Sequence, residues 1–119
     1  MRKPLLFCAV VVCSCFVPLL RAQDAVKTDP KHYTVVSEND QVRILKVHYG
    51  PHEKSVMHSH PNAVAVFLTD ATVTFTMPDG KKQNESVKAG DARFTPGGTH
   101  LPENTGDKAM EVMLVELKK

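Results

Sequence analysis

The segment Thr72–Met77 constrains the fold most, because Val73, Phe75 and Met77 alternate strictly with Thr72, Thr74 and Thr76. A period of two places one set on each face of a strand. Pro78-Asp79-Gly80-Lys81 follows at once, and Asp-Gly is strong hairpin chemistry. The same grammar recurs along the chain. Tyr33–Val36 is aromatic and β-branched, and Gln41–Tyr49 carries Arg43, Leu45, Val47 and Tyr49 on one parity. Ala63–Leu68 is a short apolar run, and Met110–Leu117 ends the chain with a strand that looks buried. Glu38-Asn39-Asp40, Thr69-Asp70-Ala71 and Pro96-Gly97-Gly98 punctuate these runs. No stretch shows a 3.6-residue amphipathic repeat. Short strands at close spacing predict an all-β, antiparallel sandwich or barrel.

The first 22 residues stand apart. Arg2 and Lys3 precede an almost unbroken apolar stretch from Leu5 to Leu20, and Ala22 offers a small residue for cleavage. This is the layout of a secretory signal peptide. The stretch is shorter than the roughly 20 apolar residues of a membrane span, so the expectation is an exported chain, periplasmic or secreted, with no stable membrane anchor after cleavage. Residues 23–32, rich in Asp, Lys and Thr, read as a flexible N-terminal arm. Residues 33–119 then form one domain.

Removing the leader changes two inferences. Cys8, Cys13 and Cys15 all lie within it, so the remainder has neither disulfide nor thiolate ligand nor cysteine nucleophile. Arg2, Lys3 and Arg21 leave as well, and 12 basic residues then face 13 acidic ones. No basic stripe suggests nucleic-acid binding. The remainder contains no phosphate-binding glycine loop and no serine-nucleophile elbow. At this size stability is marginal, about 5–15 kcal/mol. Bound metal or a homodimer, with Met110–Leu117 as one candidate surface, would add to it.

The chemistry-bearing residues are histidines. His58 and His60, two apart, project from the same face of a strand, and His100 follows Pro96-Gly97-Gly98-Thr99. If the sheet brings His100 beside the pair, three imidazoles could share a divalent transition ion: iron, manganese, zinc, copper or nickel. A lone His-x-His pair is also ordinary strand decoration, so the surroundings must decide.

From about Val42 to Leu117 the chain resembles the cupin superfamily, whose two short motifs are written Gly-x5-His-x-His-x3/4-Glu-x6-Gly and Gly-x5-Pro-x-Gly-x2-His-x3-Asn. His58 and His60 match the pair of the first. Gly90, Pro96, Gly98, His100 and Asn104 follow the second, with one residue rather than two between Gly98 and His100. The resemblance implies a cupin-type β-barrel (a double-stranded β-helix, or jelly roll) with His58, His60 and His100 as metal ligands. The chain departs from the first motif at both glycines: Gly50 comes two residues early and the closing glycine falls near Ala71 or Thr72. Its glutamate falls at Val64 or Ala65, which cannot bind a metal. Val64 shares the parity of the histidine pair, so an apolar side chain is expected where the carboxylate would reach in.

Three neutral imidazoles leave a divalent ion its full charge and an open position. Such a centre polarises substrates and activates water. Some superfamily dioxygenases use three histidines without the glutamate, which implies a dioxygenase-like enzyme acting on a small organic molecule. The alternative is a non-catalytic module that captures a small molecule or a metal. Around the trio, His52 reads as a loop residue able to reach the barrel mouth. His48 could face in or out, and His32 falls in the arm. Glu53 and Glu103 are the carboxylates nearest the motifs, each able to replace the missing ligand or orient an imidazole. Phe75 and Phe94, with Met57, Val66 and Met113, read as core or pocket lining. Asn104 reads as a turn-fixing residue.

Overall fold

The computed structural model describes residues 23–119, so the leader expected at residues 1–22 lies outside the described residues. A short helix, α1 (Ala25–Thr28), precedes nine strands. These are β1 (Tyr33–Glu38), β2 (Val42–Tyr49), β3 (His58–His60), β4 (Ala63–Phe67), β5 (Ala71–Thr76), β6 (Lys82–Val87), β7 (Ala92–Thr95), β8 (Gly98–Asn104) and β9 (Met110–Leu117). They form a five-stranded sheet in the order β1-β2-β9-β4-β7 and a four-stranded sheet in the order β3-β8-β5-β6. All paired strands are antiparallel. Two facing antiparallel sheets with these crossovers make a jelly-roll barrel.

The alternation explains the core. Leu45, Val47 and Tyr49 of β2, Ala63, Ala65 and Phe67 of β4, and Met110, Val112 and Leu114 of β9 are buried, and their strand neighbours face outward. Full burial of a large apolar side chain stabilises by about 1.5–3 kcal/mol. The Asp79-Gly80 hairpin forms as predicted. Gly80 has φ +85°, where a side chain would be strained, and the Asp79 carboxylate accepts from the Lys81 amide at 3.0 Å. Strand β6 carried no alternation signal because Lys82, Gln83, Asn84 and Ser86 are all exposed on this edge strand. Both edges of β9 are occupied, by β2 and β4, so self-association through that strand would use its outer face rather than its edge.

The expected flexible arm is a correction. Residues 23–32 dock against the barrel. Asp24 caps α1 and forms a β-bridge with Ser59, whose amide donates to the Gln23 carbonyl at 2.7 Å. Ala25 is fully buried, and Asp29 and His32 are buried too. Polar composition misled the reading because these polar groups meet partners inside the fold rather than water.

Candidate metal centre

Strand β3 pairs with β8 so that His58 lies directly across from His100, and His60 across from Gly98. Cross-strand partners project from the same face, and three rings therefore meet. Their centroids are 4.7 Å (His58–His60), 5.0 Å (His58–His100) and 5.4 Å (His60–His100) apart. The spacing placed His58 with His60, the cupin resemblance implied that His100 joins them, and the β3–β8 register is what brings the three together.

Each ring is held differently. His58, 1% exposed, donates from Nδ1 to the Val56 carbonyl at 2.8 Å, with the Ser55 hydroxyl at 3.2 Å. His60 donates from Nδ1 to Glu116 Oε2 at 2.8 Å. His100 lies against Phe75, with centroids 5.1 Å apart and planes 26° apart. With Nδ1 engaged, Nε2 is the nitrogen left free on His58 and His60. Nε2 of His58 and of His100 is buried and has no hydrogen-bond partner among the described residues. An unsatisfied buried polar atom costs about 1–3 kcal/mol, and two beside one another call for a shared partner. One candidate ligand atom from each histidine lies within 4.8 Å of the other two. A point about 2.8 Å or less from all three therefore exists, within about 1 Å of a zinc–imidazole bond of about 2.0–2.1 Å. The donor set fits a transition-metal ion.

The rings of His58 and His100 are also kept neutral, as ligands must be. Burial pushes the His58 imidazole down to about 4, helped by the neighbouring His60. Burial, with His58 and His60 alongside, pushes His100 down to about 3.

The trio opens onto a cavity of about 540 Å³. His60 and His100 line it, and His58 stands behind them. The inner wall is apolar, from Val47, Ala65, Phe75, Val112 and Leu114, and the rim carries Phe94 and Arg93. A side chain built on Gly98 would meet nothing within 4 Å, so this position opposite His60 leaves the ring open to the cavity.

Several expectations change at this site. Val64 does not face the histidines. The pleat is interrupted at Pro61-Asn62, so Ala63 and Ala65 point inward and Val64 outward. Ala65 is the small side chain on the cavity wall. Glu103 also points outward, since His100, Pro102 and Asn104 hold the inward parity of β8, and its backbone bridges Lys54. Glu53 binds the Gly50 amide at 2.7 Å, Lys31 at 2.7 Å and His32 Nε2 at 3.0 Å. These partners, Lys31 foremost, hold its carboxyl down at about 2. It braces a loop and does not reach the trio.

His52 is exposed on that loop at φ +57° and pairs with Asp107 at 2.7 Å. His48 points outward, its Nδ1 3.3 Å from Glu111. His32 is stacked on Tyr49, with centroids 4.4 Å apart. Phe75 lines the cavity as expected, whereas Phe94 is 60% exposed at its rim. Val66 and Met113 pair on the outer face. Asn104 fixes a turn: its amide donates to the Gly50 and Lys108 carbonyls and its oxygen accepts from Gly106.

Two contributors escaped the sequence reading. Glu116, 2% exposed, orients His60, and its signal was a lone acid on the inward parity of Met110, Val112 and Leu114. Tyr33 packs on His58 and His60 at 4.8 and 5.4 Å, its hydroxyl 2.6 Å from that of Tyr49.

A jelly-roll barrel with histidines converging beneath an apolar mouth defines a class of protein, and the comparisons agree with it. The cupin domain family model matches residues 45–116, and the chain belongs to that family. Among solved structures it is similar to a cupin domain from Bordetella pertussis Tohama I (22% identity over 73% of this chain and 92% of that one, TM-score 0.68). It is also similar to an RmlC-like cupin family protein with a double-stranded β-helix fold from Methanocaldococcus jannaschii (17% identity, 71% and 77% covered, TM-score 0.58). At these identities the likeness is one of fold. No curated protein matches the chain.

Proposed function

We propose that this cupin binds one divalent transition-metal ion through His58, His60 and His100 and uses it on a small, largely apolar organic molecule admitted by the cavity. The observation that carries the reading is the pair of buried Nε2 atoms on the neighbouring rings of His58 and His100, without a partner among the described residues, beside a third imidazole whose Nδ1 is already engaged. A bound ion would supply Lewis acidity, and redox chemistry if it is iron, copper or manganese. The chain's own contribution is orientation. Glu116 and the Val56 carbonyl fix two ring tautomers, Phe75 packs the third ring, and the apolar wall excludes bulk water. A cavity lined on one side by His60 and His100 favours access to the ion, and thus an enzyme, over a closed structural site.

The test is elemental analysis of protein purified without chelators, beside the triple variant His58→Ala, His60→Ala, His100→Ala. Near-stoichiometric metal in the wild type and its loss in the triple variant is expected. Equal metal in both would remove the proposal. Gly98→Leu then separates ligand access from metal binding: metal content stays, and small-molecule binding or turnover falls at least tenfold. Stoichiometric ligand binding without turnover would assign a capture module instead. Export belongs to the same proposal, supported by Arg2, Lys3 and the apolar stretch before Ala22. Mature protein beginning near Gln23 on N-terminal sequencing checks it.

A further inference from the structure

The segment before β1 holds two carboxylates, Asp24 and Asp29, and each is joined by a hydrogen-bonded relay to a different histidine of the trio. From Asp24 the path runs to Arg43, whose guanidinium also donates to Glu116 Oε1 from Nε at 2.7 Å and from Nη2 at 2.6 Å. The other oxygen of Glu116 accepts from His60 Nδ1 at 2.8 Å. From Asp29 the path runs through Ser55, whose hydroxyl donates to the carboxylate at 2.5 Å and stands 3.2 Å from His58 Nδ1. Asp29 also bonds His32 Nδ1 at 2.7 Å. Backbone contacts seat the segment: the Ser59 amide, between the two histidines, donates to the Gln23 carbonyl.

We propose that residues 23–29 form a clasp belonging to the metal centre, in which Asp24 (through Arg43 and Glu116) and Asp29 (through Ser55) are positioning residues that hold the rings of His60 and His58 with Nε2 free and aimed at the ion. The inference rests on the metal-binding reading above. Its physical basis is that a carboxylate accepting from the far nitrogen of a ligating imidazole fixes the tautomer and raises the basicity of the near one. Glu116 is a buried anion, and it keeps that role only while Arg43 neutralises it. Asp24 completes the pairing from outside the barrel. His100, by contrast, has no carboxylate behind it and relies on packing alone. The clasp also begins at the residue that cleavage near Ala22 would leave first, so removal of the leader preserves it.

The experiment measures zinc affinity by chelator competition for the full chain, Glu116→Gln, Asp24→Ala, Asp24→Glu and His58→Ala. In parallel, the imidazole nitrogen-15 shifts of the metal-free proteins report ring tautomers. Glu116→Gln is expected to weaken zinc binding by about 10–100-fold and to lose the single Nδ1–H tautomer of His60. Asp24→Ala should weaken it by roughly 3–10-fold, at the low end of the same range, with Asp24→Glu restoring most of the loss. A purely structural role would lower metal-free stability but leave the affinity of the folded protein and the His60 shifts unchanged. If the wild type binds zinc, His58→Ala loses it, and Glu116→Gln and Asp24→Ala bind within twofold of wild type, the clasp is overturned and the metal site stands. If the wild type itself binds no zinc, the metal-binding reading fails and the clasp with it. Should Glu116→Gln not fold, the Asp24 pair decides alone.

Discussion

The two walls of the histidine trio are built on opposite plans. On the β3 side, His58 and His60 are tied by hydrogen bonds into a polar net running through Ser55, Glu116 and Arg43 to Asp29 and Asp24. On the β8 side, His100 is held by packing against the face of Phe75. The difference teaches how a small barrel tolerates buried charge. Glu116 is 2% exposed, and an isolated carboxylate there would be costly. It persists because both oxygens are occupied, one by Arg43 and one by His60. The apolar wall needs no such provision, and it leaves the cavity beside His100 and Gly98 open.

That contrast can be broken from either side. Among substitutions, the largest effect is expected from Glu116→Ala, which deprives Arg43 of its buried partner and should destabilise the metal-free protein by about 3 kcal/mol, read from urea unfolding. An effect below about 1 kcal/mol would mean the polar wall is not held by its charges. Phe75→Ala on the other wall should cost about 2 kcal/mol, less than a fully buried phenylalanine, because Phe75 is only half-buried. It should also loosen His100 without changing the His60 tautomer.

Acid titration sharpens the comparison by acting on both walls at once. His58 and His100 are lowered in the folded protein to about 4 and about 3, below the ordinary value of about 6.5. The unfolded chain therefore binds the extra protons first as pH falls. The stability contributed by each neutral ring is complete above pH ~6.5 and is lost between there and about pH 3–4, by at most about 1.4 kcal/mol per pH unit for each histidine. Urea midpoints of metal-free protein from pH 7 to 4 check this; a midpoint that rises on acidification would contradict it. The smallest effect belongs to the exposed loop. His52→Ala should change stability by no more than ~0.5 kcal/mol and zinc affinity by less than twofold, which separates this solvated histidine from the buried three.

Much of this architecture was legible. Period-two alternation in β2 and β5 specified strands, since side-chain direction in a strand depends only on parity. In β9 the apolar run Val112–Val115 hides the parity, and the structure alone shows that Met110, Val112 and Leu114 face inward. The same rule placed His58 and His60 together, but it left Glu116 unread, because Glu111 and Glu116 stand on opposite parities of β9. The rule fails where the pleat is interrupted. Val64 was placed on the histidine face by counting from His60, but the break at Pro61-Asn62 reset the count and put Ala65 there instead. Edge strand β6 was silent because Lys82, Gln83, Asn84 and Ser86 all face solvent and Val87 alone is buried.

Alone, the amino-acid order determined an all-β class and a pair of imidazoles able to share one strand face, because these follow from local geometry; His100 was readable only as a histidine after a turn. The tertiary structure decided the rest. The β3–β8 register set His58 across from His100, the docking of residues 23–29 buried Ala25 and Asp29 against the barrel, and the β2–β9 pairing put Arg43 beside Glu116. Those are meetings of residues as many as 73 positions apart. No local rule can foresee them, because the energy that selects them exists only once both partners have left water together.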